Sequence, residues 1–355
     1  MPDRQLGWRV ASEAHLISED NMHLHKDNAP SGLLVVDKPR GPTSHDVVAR
    51  IRRIIGTKSV GHAGTLDPMA TGVLIVLVGQ CTKLSGYLSN EDKVYDATIE
   101  LGRGTDTLDA DGAITDVASL TSSLVSELYQ IQCGIEPSGE RLLHNAISAE
   151  RHRVSQMPPA YSAIKLDGRA AYARARRGEP VVLDPREVRV ERMTISGATT
   201  EPPSIRLELR VSKGYYVRSL ARDLGMALGV PAHLTELRRL RSGSVGLDRA
   251  VGLDCGSDAM LRSMMTVEEV AGLLFPSRVL TERGVYRARC GQQMSDDDFD
   301  SPPPSTVSAW YSLASAKDAD AGTPVGGGAR SGCVLVAVGD RSRGWPAVLR
   351  VFVGR

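Results

Sequence analysis

The sequence is poor in aromatic side chains, and phenylalanine is especially rare. Aromatic residues make up 4% of its 355 residues and three of them are phenylalanine, whereas 41% of the residues are hydrophobic. A sizeable core is therefore possible, but it must rest on leucine, valine, isoleucine and alanine. The length predicts two domains, at roughly 150 residues for each.

Cysteine is also scarce, and its spacing is not that of a metal cluster or a disulfide framework. The five cysteines are odd in number and include no C-x-x-C pair. This distribution favours a reducing compartment and no bound metal. No apolar run approaches the roughly 20 residues that cross a bilayer, and no secretory signal is recognisable. We therefore expect a cytoplasmic protein without a membrane segment.

The chain carries no excess of positive charge as a whole. Its formal net charge is +1, which excludes a generally basic coat for nucleic acid. Two local excesses remain: six Lys or Arg against two Asp over residues 37–58, and five against two acidic residues over 161–180. Such runs are typical either of a solvated helix face or of a local RNA surface.

Sequence motifs for common cofactors are missing. There is no G-x-x-x-x-G-K-[ST] phosphate loop and no dinucleotide fingerprint. The Thr107–Gly112 segment is similar to the start of a calcium loop, but Ala118 stands where that loop requires a bidentate Glu. The sequence predicts chemistry that needs no cofactor.

One carboxylate stands in an unusual loop. Asp67 lies in the stretch Gly61–Gly72, which is rich in glycine and is followed by the apolar run Val73–Val78. That run predicts a buried strand, so Asp67 would lie on a tight loop anchored to a sheet. Taken alone, an Asp before Pro is more often a simple turn residue.

Neighbouring segments change this interpretation. Five further segments stand in a defined order and spacing around this loop: Gly32–Val48, Lys93–Gly112, Pro158–Lys165, Lys213–Leu220 and Leu237–Gly243. Together with the Asp67 loop they form a pattern that is far more specific than any one segment. In order and spacing this pattern resembles the TruB family of RNA pseudouridine synthases, and the resemblance covers roughly residues 31–275.

The resemblance implies an α+β fold. The expected catalytic domain, residues 31–275, has a central mixed or antiparallel sheet flanked by helices. A flexible tail over residues 1–30 would precede it, and a small β-rich, PUA-like domain over 276–355 would follow. The composition of residues 295–330, rich in Asp, Pro, Ser, Ala and Gly, predicts a disordered insertion within that last domain.

Local patterns predict several individual elements. Thr43 or Ser44 would begin a helix, and Thr266 with Glu269 forms a capping-box pattern at the start of another. Further expected strands are 33–37, 73–78, 93–101, 187–196 and 204–212, and further expected helices are 117–132, 140–151 and 216–228. In the C-terminal part, the sequence predicts strand segments over Val279–Cys290 and Cys333–Val353.

The resemblance also implies roles for individual residues. Asp67 would be the catalytic carboxylate, and Arg218 its partner, because a carboxylate that must stay charged without water needs an opposite charge nearby. Tyr95 would stack on the extruded uracil. Other residues implied to bind the substrate are His62, which helps to fill the space left by the extruded base, Tyr216 and the apolar wall Leu237.

The basic segment after Pro158 corresponds to a loop that closes over RNA in this family. Phosphate contacts by its cations would position the substrate without reading its sequence. The cations are Lys165, Arg169, Arg174, Arg176 and Arg177. Residues 132–156 do not align clearly with the family spacing.

The implied function is isomerisation of uridine to pseudouridine in the T arm of tRNA, at standard position 55. The expected partner is the tRNA T stem-loop, with no obligate protein partner, no cofactor and a monomeric state. Two alternatives are a guide-dependent RNA pseudouridine synthase within an RNA–protein particle, and an RNA-binding or tRNA-folding protein whose catalysis is incidental.

Overall fold

A computed structural model describes residues 30–313, 333–342 and 344–352. The predicted N-terminal tail, apart from Pro30, and residues 314–330 of the predicted insertion lie outside this range. The helices are α1 (Ser44–Ile55), α2 (Ser85–Ser89), α3 (Ser122–Gln132), α4 (Leu142–Arg151), α5 (Ala171–Ala175), α6 (Val217–Leu228), α7 (Ser257–Ser263), α8 (Val267–Leu274) and α9 (Glu282–Arg289).

The strands fall into one large sheet, one C-terminal sheet and several short ribbons. They are β1 (Gly32–Lys38), β2 (Val60–Ala63), β3 (Thr71–Val78), β4 (Lys93–Leu101), β5 (Arg103–Thr105), β6 (Ile114–Val117), β7 (Ser155–Gln156), β8 (Lys165–Leu166), β9 (Arg169–Ala170), β10 (Arg186–Glu187), β11 (Val190–Thr200), β12 (Pro203–Val211), β13 (Ala232–Ser242), β14 (Val245–Gly246), β15 (Ser277–Val279), β16 (Val307–Leu313), β17 (Cys333–Asp340) and β18 (Ala347–Val351).

The central sheet is mixed and has the order β1-β3-β13-β4-β12-β11. Strands β13 and β3 pair in parallel, whereas their other neighbours on this path run antiparallel. Strand β2 also pairs with β3, and β14 pairs with β13. This order brings the ends of β2, β3, β4 and β13 together, although they are far apart in the sequence.

Both faces of the central sheet are buried at the β1–β3 side. In β3, Leu74 and Val76 pack into the core shared with α1, α3, α4 and α6, whereas Val73, Ile75 and Leu77 pack into a second core. Side chains alternate between the faces of a strand, so a strand covered on both sides becomes continuously apolar. The helix-side core also contains Tyr95 and Leu237.

Local sequence signals explain where the helices begin and end. Thr43 caps α1 and forms a capping box with Asp46, while Gly56 ends the helix in the left-handed conformation at φ 74°. The predicted capping box of Thr266 and Glu269 opens α8. The α+β prediction is confirmed, and strand β4 spans the predicted residues Lys93–Leu101.

The C-terminal sheet has the order β15-β16-β17-β18 and contributes to the second core through Ala309, Tyr311 and Leu335. The strand predicted over Val279–Cys290 was wrong, because most of it forms helix α9. Thr281 caps this helix through the Gly284 amide, and that local hydrogen bond favours helical backbone over a strand.

The described part of the predicted insertion, residues 295–313, is ordered. It contains a short 3₁₀ helix, Asp296–Asp298, and strand β16. The prediction of disorder for these residues was wrong because it counted composition alone. Asp298 is fully buried against two arginines of α9, and Phe299 packs edge-on against the buried Trp310 at 5.0 Å between ring centroids.

No helix in the described ranges is both long and apolar enough to cross a membrane.

Candidate active site

The Asp67 loop is fixed from several sides. The buried Leu66 exchanges two hydrogen bonds with Ser44 at the start of α1, at 2.9 and 3.1 Å. Gly64 has a φ of 82°, a conformation that favours glycine. The Ala70 amide donates to the Asp67 carbonyl at 3.1 Å, so the turn that the Asp-Pro sequence favours is present. These contacts leave the Asp67 side chain 33% exposed.

Arg218 lies against the Asp67 carboxylate. Its Nη2 donates to Asp67 Oδ1 at 3.0 Å, and its Nε lies 2.8 Å from Asp67 Oδ2. The guanidinium also donates to the carbonyls of Thr107, at 3.1 Å, and Tyr161, at 2.8 Å. Arg218 is 5% exposed, so helix α6 presents a buried cation to one partly exposed carboxylate.

Asp109 is a second carboxylate at the same guanidinium. Its Oδ2 lies 3.5 Å from Arg218 Nη1, and its Oδ1 accepts from the Thr107 hydroxyl at 2.6 Å. Burial raises the pKa of Asp109, while the Thr107 hydroxyl and Arg218 act in the opposite direction. The sequence interpretation missed this residue. Its segment belongs to the pattern that resembles the TruB family, but in the sequence Asp109 itself stands out only as a possible calcium ligand.

Tyr216 immediately precedes α6 and is held through its backbone. The buried Gln156 accepts from the Tyr216 amide at 2.8 Å and donates to the Tyr216 carbonyl at 3.1 Å. Burial is the main cause that raises the pKa of Tyr216. The neighbouring Tyr215 donates to the buried Glu150 at 2.8 Å. Residues 132–156, which do not align clearly with the family spacing, therefore supply two side chains that fix the start of α6, Glu150 and Gln156.

Tyr95 and Leu237 lie on the adjacent strands β4 and β13, and each is 8% exposed. Tyr95 is opposite Arg239 in the strand register, and Leu237 is opposite Ala97. They belong to one buried cluster with Leu66 and Met69 of the Asp67 loop. A buried apolar cluster therefore lies next to the loop that carries the Asp67 carboxylate.

His62 lies on β2, ahead of the Asp67 loop. Its ring meets that of His45 edge-on at 5.2 Å between centroids. Burial, followed by the charges of His45 and Arg239, lowers the pKa of His62. This lowering favours the neutral form of its imidazole.

Lys38 is a buried cation beneath the same loop. It is fully buried at the end of β1, and its ammonium donates to the carbonyls of Pro39, Pro42 and Pro68 at 3.0, 2.8 and 3.2 Å. Burial lowers the pKa of Lys38 to about 8, against the opposing effect of Asp67. The contact with Pro68 fixes the residue that follows Asp67.

The basic segment forms a small unit of β8, β9 and α5. Arg174 lies between two acids, 3.3 Å from Glu179 and 3.6 Å from Asp167, and Arg177 lies 3.5 Å from Glu179. Arg176 lies over the Tyr172 ring, 5.6 Å from its centroid. Lys165 and Arg169 are exposed. Arg218 connects this segment to Asp67 through the Tyr161 carbonyl.

The described residues contain no group of three or more His, Cys, Asp or Glu side chains able to hold a metal ion. Two cations next to the Asp67 loop, Arg218 and Lys38, donate instead to a carboxylate and to backbone carbonyls. This arrangement can hold a carboxylate at the edge of an apolar cluster.

Two family models match consecutive parts of the chain. Residues 52–217 match the N-terminal domain of the TruB family of pseudouridylate synthases, and residues 218–279 match the C-terminal domain of tRNA pseudouridylate synthase B. These matches span the Asp67 loop, β4 and α6.

Among curated proteins, the tRNA pseudouridine synthase B of Cutibacterium acnes is 45% identical over 267 residues, covering 75% of this chain and 85% of that protein. The protein of the same name from Thermobifida fusca is 43% identical over 277 residues, covering 76% and 89%.

Solved structures with a similar fold are more distant in sequence. A Cbf5–Nop10–Gar1 complex matches with a TM-score of 0.61 and 21% identity, over 94% of this chain and 88% of that one. An H/ACA RNP bound to a substrate RNA containing 2'-deoxyuridine matches with a TM-score of 0.60 and 21% identity, over 95% and 88%. At this identity the likeness concerns the fold.

Proposed function

Because this chain belongs to the TruB family of RNA pseudouridine synthases, we propose that it converts uridine to pseudouridine in the T arm of tRNA, at standard position 55. Its relatives at 43–45% identity are named tRNA pseudouridine synthase B, which supports tRNA as the substrate. The T-arm position follows from the family resemblance. The chain is an isomerase that acts on RNA, and its reaction changes only the connection between base and sugar.

The Asp67–Arg218 contact is the observation that carries the proposed site. In the reaction the bond between ribose C1' and uracil N1 breaks, the base turns, and a bond between C1' and C5 forms. The C5 proton is lost and N1 gains a proton, so no atom is gained or lost overall. We propose that Asp67 supplies the negative charge at the junction of sugar and base, and that Arg218 holds its carboxylate in place.

The neighbouring residues would bind the base once it is extruded from the RNA. Tyr95 would stack on the base, and Tyr216 and Leu237 would form further walls around it. His62 would help to fill the space that the base leaves. The neutral form of its ring suits contact with a base rather than with a phosphate.

We further propose that the chain acts alone on tRNA, as a cytoplasmic monomer. Two observations favour a stand-alone enzyme over a guide-dependent one. They are the residues at Asp37–His45 and the relatives named tRNA pseudouridine synthase B. An RNA-binding protein with incidental catalysis would have no need of a carboxylate held by a buried guanidinium. That contact favours an enzyme over a pure binder.

The decisive experiment combines the purified chain with an unmodified tRNA transcript, without guide RNA, protein partner or cofactor. We expect stoichiometric pseudouridine at position 55, read by base-resolution mapping. A transcript with cytidine at that position is the matched control and should give no product. Product only after addition of a guide RNA would overturn the stand-alone proposal, and product at another position would overturn the T-arm assignment.

A further inference from the structure

Arg239 is among the largest fully buried side chains of the described residues, at 1% exposure, in the second half of β13. Within the described residues, the ion pairs do not include Arg239. A buried guanidinium without a carboxylate is costly, and an apolar side chain would fill the interior of a sheet at lower cost. The hydrogen bonds of the buried guanidinium must therefore offset this cost.

Those hydrogen bonds go to both sides of the Asp67 loop. Arg239 Nη2 donates to the Gly64 carbonyl at 2.8 Å and Nη1 to the Thr65 carbonyl at 3.4 Å, ahead of Asp67. Its Nε donates to the Val73 carbonyl at 2.7 Å, in the strand that follows the loop. One planar group thus joins the entry and the exit of the loop.

The backbone of Arg239 is fixed at the same place. It pairs with Gly72 in the parallel register of β13 and β3, and a Cβ on Gly72 would lie 2.2 Å from the Arg239 carbonyl oxygen. On its other side, Arg239 is opposite Tyr95 in β4. It therefore lies where the Asp67 loop meets the strand of the proposed stacking tyrosine.

We propose that Arg239 is a positioning residue for the reaction. It holds the Gly64 and Thr65 carbonyls inward and so places the Asp67 carboxylate against Arg218. The guanidinium suits this task because its fixed fork of donors reaches several acceptors at once, whereas a lysine ammonium is a flexible point donor. This inference rests on the proposed function only where its test measures the rate of pseudouridine formation.

The test compares Arg239→Met and Arg239→Lys in the full chain. Methionine keeps apolar bulk without donors, and lysine keeps the charge and one donor. We expect Arg239→Met to lower the saturating single-turnover rate of pseudouridine formation about a hundredfold, as for loss of an active-site donor, with RNA affinity changed less than about threefold. Arg239→Lys should recover part of that rate. The rates are corrected for the folded fraction.

Arg241→Met is the matched control. Arg241 lies two residues further along β13, is exposed, and also donates to a backbone carbonyl, that of Ser244, at 2.8 Å. We expect its rate and affinity to match the wild type. If Arg239→Met and Arg239→Lys retain the wild-type rate per folded molecule, the proposal is overturned. If Arg239→Met does not fold, the rate of Arg239→Lys decides.

Two further readouts separate positioning from general stability. In an Arg218→Lys background, the added loss from Arg239→Met should be smaller than in the wild type, because both changes act through Asp67. Equal losses in the two backgrounds would contradict the proposal. Amide hydrogen exchange over residues 64–70 should also accelerate in Arg239→Met and not in Arg241→Met. This readout needs no RNA, so it tests Arg239 even if the wild type forms no pseudouridine and the proposed function fails.

Discussion

Asp67 and Arg218 differ sharply in exposure, and this difference separates their roles. Asp67 is 33% exposed, whereas Arg218 is 5% exposed and its donors already face Asp67 and two backbone carbonyls. Arg218 is therefore poorly placed to bind an RNA phosphate. We propose that it acts on the reaction through the Asp67 carboxylate, which it contacts.

Replacing Asp67 with Asn should abolish product formation. The amide keeps the shape of the side chain but has no negative charge. Affinity for tRNA should stay within about tenfold of the wild type, or about 1.4 kcal/mol. Pseudouridine mapping and a binding titration measure the two effects. Substantial turnover by purified Asp67→Asn would rule out its catalytic assignment.

Arg218→Lys should lower the single-turnover rate on the order of a hundredfold, with little change in affinity. Lysine keeps the charge but loses the planar fork that reaches Asp67, Asp109 and the two carbonyls. Rate and affinity are measured on the same tRNA transcript. Weaker binding with an intact saturating rate would instead identify Arg218 as a phosphate contact.

At the scale of elements, the unit formed by β8, β9 and α5 is less free to bind RNA than its sequence indicates. Arg174 and Arg177 each lie near Glu179, whereas Lys165, Arg169 and Arg176 are exposed and lack an ion pair within the described residues. The charge excess counted from the sequence is therefore divided between internal pairs and cations open to solvent.

Changing Lys165, Arg169 and Arg176 together to Ala should flatten the salt dependence of tRNA binding. The expected change is up to about 0.7–0.9 log units in slope for each lost phosphate contact. The saturating single-turnover rate should change much less, because these cations need not touch the uracil. Affinities measured across a salt series give the slope.

Arg174→Ala is the matched control for this segment. Because Asp167 and Glu179 already neutralise its guanidinium, we expect little change in the salt slope. A larger change for Arg174→Ala than for the triple variant would mean that RNA displaces these acids, and that Arg174 is the principal contact.

At the scale of the whole molecule, the C-terminal sheet shares a core with the central sheet, and next to it a buried carboxylate pairs with two partly exposed arginines of α9. Asp298 is fully buried, and its two oxygens lie 2.8 Å from Arg283 and 3.2 Å from Arg287. Burial alone would raise the pKa of Asp298, but hydrogen bonds from Ser295 and both arginines together hold it below its ordinary value.

Asp298→Asn should therefore destabilise the C-terminal sheet by about 2 kcal/mol, the size of a lost hydrogen bond to a charged group. Denaturant unfolding followed by fluorescence of the buried Trp310 measures this. Asp297→Asn, at the exposed neighbouring position, is the control and should stay close to the wild type. Equal stability of the two variants would contradict the role of Asp298.

The difference in unfolding free energy between the wild type and Asp298→Asn should depend on pH. Because the folded-state pKa of Asp298 is lowered, the unfolded chain binds more protons over the interval between the two values, and stability rises with pH there. The contribution is complete above about pH 4 and is lost as the pH falls through the folded-state value. The difference in unfolding free energy between wild type and Asp298→Asn should shrink accordingly below about pH 4.

The sequence by itself determined the features that depend on near neighbours. The capping box of α1, the apolar run of β3 and the alternation of β4 follow from local hydrogen bonding and from the side-chain periods of helix and strand. The same is true of the Asp67 loop, whose sequence motif is also part of the family resemblance. The contact between Asp67 and Arg218 was expected only because that resemblance implied it, since the two residues lie 151 positions apart.

Only the tertiary structure decided which distant groups meet. The order of the central sheet sets Arg239 beside Gly72 and Tyr95, and the loop after β5 brings Asp109 to Arg218. It also decided that residues 295–313 are ordered, because Asp298 and Phe299 find partners in α9 and β16 that composition cannot reveal. Burial and pairing depend on elements that lie together in space, and no local pattern in the sequence records that proximity.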